Sequence, residues 1–254
     1  MPLLELRRLT RRFGGLLAVD RLDFTLEAGS IVAMIGPNGA GKSTVFNLIS
    51  GIYPPSEGEI HFAGRMVAGQ PANRVASAGI ARTFQNIRLF ATMSALENVM
   101  TGAHARLRAN LVDSLIHTPR QRAEEHANVQ KALDLLEFVG LSDLVHEDAH
   151  NLPYGFQRRL EIARALASEP KLLLLDEPAA GMNPREKADL VDLVHRIRAR
   201  GITVFLIEHD MPFVNALSER VTVLDHGEKI AEGTPEDIRN DARVIEAYLG
   251  APTQ

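Results

Sequence analysis

The sequence predicts an α/β fold: a mostly parallel sheet covered by helices, short strands near the N-terminus, and an inserted helical subdomain. Three observations carry this expectation. The apolar runs Ile31 to Ile35, Leu172 to Leu175, Val204 to Ile207 and Val221 to Leu224 have the length and continuity of strands buried on both faces. Helix-patterned stretches, Arg185 to Arg200 and Pro212 to Leu217, lie between them, an alternation that builds parallel sheets with crossover helices. From about Ser94 to Glu137 the pattern turns helical, with Val129, Leu133, Leu136 and Gly140 falling on one face.

Taken in order, Leu3 to Leu6 and Asp23 to Leu26 read as short strands, and Ile31 to Ile35 as a buried one that runs into a glycine-rich turn. Thr44 to Ser50 suits a helix, and Gly58 to Phe62 alternates like a half-buried strand entering a turn at Gly64. The 254 residues suffice for one α/β core with a smaller insertion. The expected division is a core of residues 1–88 and 160–254 with a helical subdomain at 89–159.

Bulk composition removes several function classes. The net charge of −4 disfavours nucleic acid held by a broad basic field, and the cluster Arg7, Arg8, Arg11 and Arg12 reads as a solvated face. The absence of cysteine excludes disulfides, thiolate catalysis and Cys-ligated metals. No stretch approaches the roughly 20 apolar residues that cross a bilayer, and the N-terminus alternates Leu with Glu and Arg instead of carrying an apolar signal core. Any membrane role is therefore expected to come through a partner.

Gly36-Pro37-Asn38-Gly39-Ala40-Gly41-Lys42-Ser43-Thr44 satisfies G-x-x-x-x-G-K-[ST], placed after a buried strand and before a helix. The glycines let several backbone N–H groups converge at a helix N-terminus, where the dipole also favours an anion. A triphosphate is the natural occupant, with Lys42 on the β and γ phosphates and the Ser43 hydroxyl on Mg²⁺. The motif alone leaves kinases, GTPases and motors open, although the chain carries no N-K-x-D guanine motif.

Leu172 to Leu175 end in Asp176-Glu177-Pro178. Ligand groups gather at the carboxyl ends of strands in an open parallel sheet. Asp176 is thus expected in the Mg²⁺ shell, through water, and Glu177 one residue further, able to orient or deprotonate an attacking water.

With these motifs in order the chain resembles the ABC-transporter ATPase family, which implies that family's α/β fold: a P-loop core with a mostly parallel sheet, N-terminal antiparallel strands and an inserted helical subdomain. The resemblance implies a catalytic set of Lys42, Gln85, Glu177 and His209. Gln85, in Arg82-Thr83-Phe84-Gln85-Asn86, would join Mg²⁺ and water to the helical subdomain, making the metal set Ser43, Gln85 and Asp176. His209, in Glu208-His209-Asp210, would contact the γ-phosphate. Phe13 would stack on adenine, with Val19 beside it in the nucleotide set.

The family signature L-S-G-G-Q corresponds here to Leu152-Pro153-Tyr154-Gly155-Phe156. Pro153 supplies neither hydroxyl nor N–H, so Tyr154 and Gly155 would reach a nucleotide of the opposite subunit through backbone groups. Tyr154-Gly155, Ala179 to Pro184 and the ending from Gly233 to Gly250 are similar to the ATP-binding subunit of bacterial branched-chain amino-acid importers. Asn183 and Phe156 depart from that pattern. The arginine-bearing stretch Thr101 to His126, with Arg106, Arg108, Arg120 and Arg122, also resembles that subfamily and reads equally as a solvated face or a partner surface.

The resemblance implies ATP and Mg²⁺ as cofactors and a two-fold dimer with a second copy or a paralogue. It further implies transmembrane permeases, indirectly a solute-binding protein, no nucleic acid, and a place on the cytoplasmic face of the plasma membrane. Two alternatives stay open: an ABC ATPase of a urea, amide or lipopolysaccharide system, and a non-transport clamp ATPase. The latter usually carries a long coiled coil, and no sustained heptad run occurs in this sequence.

Overall fold

The structure, a computed structural model, describes residues 2–103 and 119–249. Arg106, Arg108, Gly250 and the side chains of Arg120 and Arg122 lie outside the described residues. The chain forms two units, residues 1–82 with 171–254, and residues 83–170.

Among the described residues, the first unit contains ten strands in two sheets. They are β1 (Leu4–Phe13), β2 (Leu16–Leu26), β3 (Ile31–Ile35), β4 (Glu57–Phe62), β5 (Arg65–Met66), β6 (Ile80–Arg82), β7 (Leu172–Asp176), β8 (Thr203–Ile207), β9 (Arg220–Asp225) and β10 (Glu228–Gly233). One sheet is antiparallel, in the order β2-β1-β4-β5, and the other has the order β10-β9-β3-β8-β7-β6. All pairings in the second are parallel except β9 with β10. Every residue of β3, β7 and β8 is buried, which is why these strands read as unbroken apolar runs.

Three rings lock the sheets to the helix Lys42–Ile49. Phe24 of β2 stacks on Phe205 of β8 at 4.8 Å, and Phe46 meets Phe205 edge-on at 5.1 Å. Each such pair adds about 0.5–1.5 kcal/mol beyond burial.

Register, more than strand count, sets where the strand ends arrive. Met34 of β3 pairs with Ile207 of β8, and Ile207 pairs with Asp176 of β7. Those three residues stand on one rung, so the chain leaves three neighbouring strands at one end of the sheet.

In the second unit the helices Ala95–Gly102, Pro119–Phe138 and Tyr154–Ala167 pack on one another. Ser94 and Glu97 form a capping box at the first. Asn98, fully buried, accepts from Phe90 N–H and donates to the carbonyls of Phe90, Met93 and Ser94, which shapes the preceding loop. Among the described residues no helix is long and apolar enough to cross a membrane.

Several expectations need correction. β1 runs on to Phe13 because Arg7, Arg8, Arg11 and Arg12 sit on a bulged strand whose register shifts after Leu6, with Arg8 at φ 47°. β6 and β10 give little strand signal in the sequence, since β6 is three residues long and β10 is mostly polar. The buried face of Pro119–Phe138 carries Ala132, Leu135 and Leu136; Val129 and Leu133 are only half-buried, and Gly140 follows the helix at φ 77°. The second unit takes in Tyr154–Ala167, which packs on its other two helices.

Candidate functional site

β3 delivers the chain to Gly36, and the glycines at 36, 39 and 41 all have positive φ. At two of them a side chain is also excluded by space. A Cβ on Gly36 would lie 2.1 Å from the Leu224 carbonyl oxygen, and one on Gly41 2.3 Å from that of Ala18. Gly41 caps the helix Lys42–Ile49, which starts two residues earlier than the sequence suggests. Lys42 is buried, and its Nζ donates to the carbonyls of Gly36 at 2.7 Å and Pro37 at 2.9 Å. Burial pushes its pKa down while the charges of Glu177 and Asp176 oppose that shift. Both carboxylates therefore act on the same ammonium. Ser43 and Gly39 are exposed, Thr44 and Pro37 half-buried, and Asn38 exposed, while Ala40 packs into the core.

Asp176 ends β7 with its side chain buried and its Oδ1 lacking any hydrogen-bond partner. An orphaned carboxylate oxygen and the exposed Ser43 hydroxyl fit the hard-oxygen shell of Mg²⁺, which keeps most of its waters. Glu177 follows at φ 45°, a conformation non-glycine residues rarely adopt and one that collects at active sites. Its N–H donates to Ile207 O at 3.0 Å. His209 Nδ1 stands 4.0 Å from Glu177 Oε2, with the ring 62% exposed.

Glu208, which nothing local in the sequence singles out, holds this end of the sheet together. Its carboxylate accepts from the amides of Ala179 at 2.9 Å and His209 at 3.0 Å. Burial pushes its pKa up, against the pull of those amides. Asp210 caps the helix Met211–Leu217 and is held below the usual range chiefly by Lys187. Asn183, the departure from the family's aspartate, caps Pro184–Ala199 by accepting from Arg185 and Glu186 N–H at 3.0 Å; asparagine and aspartate cap equally well.

Phe13 is 37% exposed, as a stacking platform requires. Tyr53 meets it edge-on at 5.3 Å and the Arg11 guanidinium covers it at 4.5 Å. Val19 faces Arg11 across the β1–β2 pair, with its side chain fully buried in the hydrophobic core.

Gln85, Tyr154 and Gly155 belong to the second unit. Pro153 is the N-cap of Tyr154–Ala167 and makes no side-chain cap, so the open amides of the first turn remain for an anion. Tyr154 is exposed, Gly155 buried, and the Arg159 guanidinium lies 5.8 Å from the Phe156 ring. Arg158 donates to the Gln85 carbonyl at 2.8 Å and to Tyr154 Oη at 3.2 Å. Sequence reasoning misses it, because a charged residue inside an amphipathic helix gives no sign that it is buried.

This arrangement has counterparts among known proteins. The family model described as "ABC transporter" matches residues 19–180, and one described as "Branched-chain amino acid ATP-binding cassette transporter" matches residues 228–252. The chain belongs to the ABC transporter family. Within it, the chain is 46% identical over 98% of both sequences to the high-affinity branched-chain amino acid transport ATP-binding protein BraF of Pseudomonas aeruginosa. It is 45% identical, over the same shares, to LivG of Salmonella typhimurium. A nucleotide-free ATP-binding cassette from an ABC transporter superposes with a TM-score of 0.87 at 32% identity, covering 98% of this chain and 100% of that one.

The described part of the segment matched by the second family model, residues 228–249, lies beside the phosphate loop. A cavity of about 680 Å³ is lined on one side by Pro37 to Ala40 and on the other by Arg243, Glu246 and Ala247 of the helix Ala242–Leu249. Burial pushes the Tyr248 hydroxyl up, opposed by its hydrogen bond with the Gly36 backbone.

Proposed function

We propose that this chain is the ATP-hydrolysing subunit of an ABC importer for branched-chain amino acids, acting through permease partners on the cytoplasmic face of the membrane. One observation carries the catalytic part: Met34, Ile207 and Asp176 share a rung, so Lys42, Asp176, Glu177 and His209 arrive at one end of the sheet. The solute class rests on 46% identity to BraF over nearly the whole chain.

In this reading the amides of residues 38–44 and Lys42 Nζ bind the phosphates, the ammonium exchanging its two loop carbonyls for phosphate oxygens. Phe13 stacks on adenine. By the resemblance, Ser43, Asp176 and Gln85 would hold Mg²⁺, which would supply positive charge to the transferred phosphate. Glu177 Oε2 takes the proton of the attacking water, and His209 hydrogen-bonds the γ-phosphate. Tyr154 and Gly155 complete the site of a second subunit, so ATP favours the closed dimer and its products the open one.

Reconstitution with a branched-chain amino-acid permease pair and its binding protein tests the solute. ATPase activity stimulated by leucine, isoleucine or valine is expected. Stimulation by urea or an amide alone would overturn the assignment to branched-chain amino acids.

A further inference from the structure

Within the second unit, Arg158 and Glu161 lie one turn apart with side chains 0% and 1% exposed, joined by an Nη1 to Oε2 contact of 2.8 Å. Apolar residues of similar volume usually replace such a pair at no loss of stability. The remaining polar atoms indicate what this pair does instead. Arg158 Nη1 donates to the Phe84 carbonyl at 2.6 Å and Nη2 to the Gln85 carbonyl at 2.8 Å. Glu161 Oε1 accepts from the amides of Phe84 and Arg88, each at 3.3 Å. Two side chains of one helix thus hold both backbone groups of Phe84 and the carbonyl of Gln85, and the same guanidinium reaches Tyr154 Oη at 3.2 Å.

We propose that Arg158, seated on Glu161, is a positioning residue that fixes the peptide bearing Gln85 to the first turn of the helix bearing Tyr154 and Gly155. The planar guanidinium suits this role because it serves two carbonyls, a carboxylate and a hydroxyl at once, which a lysine ammonium cannot. The inference rests on the reading of Gln85 as a residue of the metal and water shell.

The test is a double-mutant cycle in steady-state Mg-ATP hydrolysis by the full chain, using Arg158→Met, Gln85→Ala and the pair. Arg158→Met is expected to lower kcat about tenfold with KM within about twofold, the pattern of an interaction made in the transition state. In the Gln85→Ala background it should cause no further loss. Arg158→Lys should recover less than half of the lost rate. Equal losses in both backgrounds, or full recovery by lysine, would overturn the proposal while leaving Gln85 its role. If Gln85→Ala itself turns over like the parent, the underlying reading of Gln85 fails instead. Should Arg158→Met not fold, Glu161→Gln, which keeps the shape and removes the charge beneath the guanidinium, enters the same cycle with the same expected non-additivity.

Discussion

Arg82 Nη2 donates to Asp176 Oδ2 at 2.9 Å, with side chains 7% and 6% exposed. Its other terminal nitrogen, Nη1, donates to Asn47 Oδ1 at 2.7 Å and Ser50 Oγ at 3.1 Å. The carboxylate that ends β7 is therefore anchored through one oxygen to the end of the phosphate-loop helix, and its other oxygen stays without a protein partner.

This pairing predicts a strong stability effect. Arg82→Ala strands a buried carboxylate and should lower the unfolding free energy by about 3–5 kcal/mol. Adding Asp176→Asn should restore part of that loss, because the stranded charge is gone. Denaturant titration of both variants decides it; additive losses would refute the coupling.

Glu177→Gln should bind ATP as the parent does yet hydrolyse it at least about a hundredfold more slowly, since the amide cannot accept the water's proton. Closed dimers should accumulate with ATP in size-exclusion chromatography. Lys42→Ala should instead abolish nucleotide binding, which fluorescence titration with a labelled ATP would register. Parent-like turnover by Glu177→Gln removes it as the base.

Phe13→Ala should raise the KM for ATP several-fold with little change in kcat, the signature of lost uniform binding. The stacking itself contributes about 0.5–1.5 kcal/mol. Since Arg11 covers one face of the ring, Arg11→Ala should change KM by less than Phe13→Ala does. A KM unmoved by Phe13→Ala takes the ring out of the site.

The raised Glu208 pKa sets a direction with pH. Burial lifts it above the ordinary carboxylate value of 4.5 in the folded state, so the native protein holds this proton more tightly than the unfolded chain. Stability must then fall as pH rises from the ordinary value through the folded one. Glu208→Gln should lose an amide contact at every pH but decline less steeply over that window. Parallel stability curves from urea unfolding at a series of pH values would contradict this.

The phosphate loop, the strand ending in Asp176-Glu177 and the parallel core were all legible along the chain. Each of these is local chemistry: glycine spacing, an unbroken apolar run, a lysine and a hydroxyl at a helix start. Features that depend on distant partners became visible only in three dimensions. Arg82, Arg158, Glu161 and Glu208 read as ordinary charges along the chain, and only packing shows them buried against groups that lie from 1 to 94 positions away. The burial of Val19 is likewise a matter of register, since the face a strand residue presents follows from its pairing, and β1 carries bulges that no local pattern announces. Charge burial and register are properties of the assembled sheet and helices, which is why neither was written in any single segment.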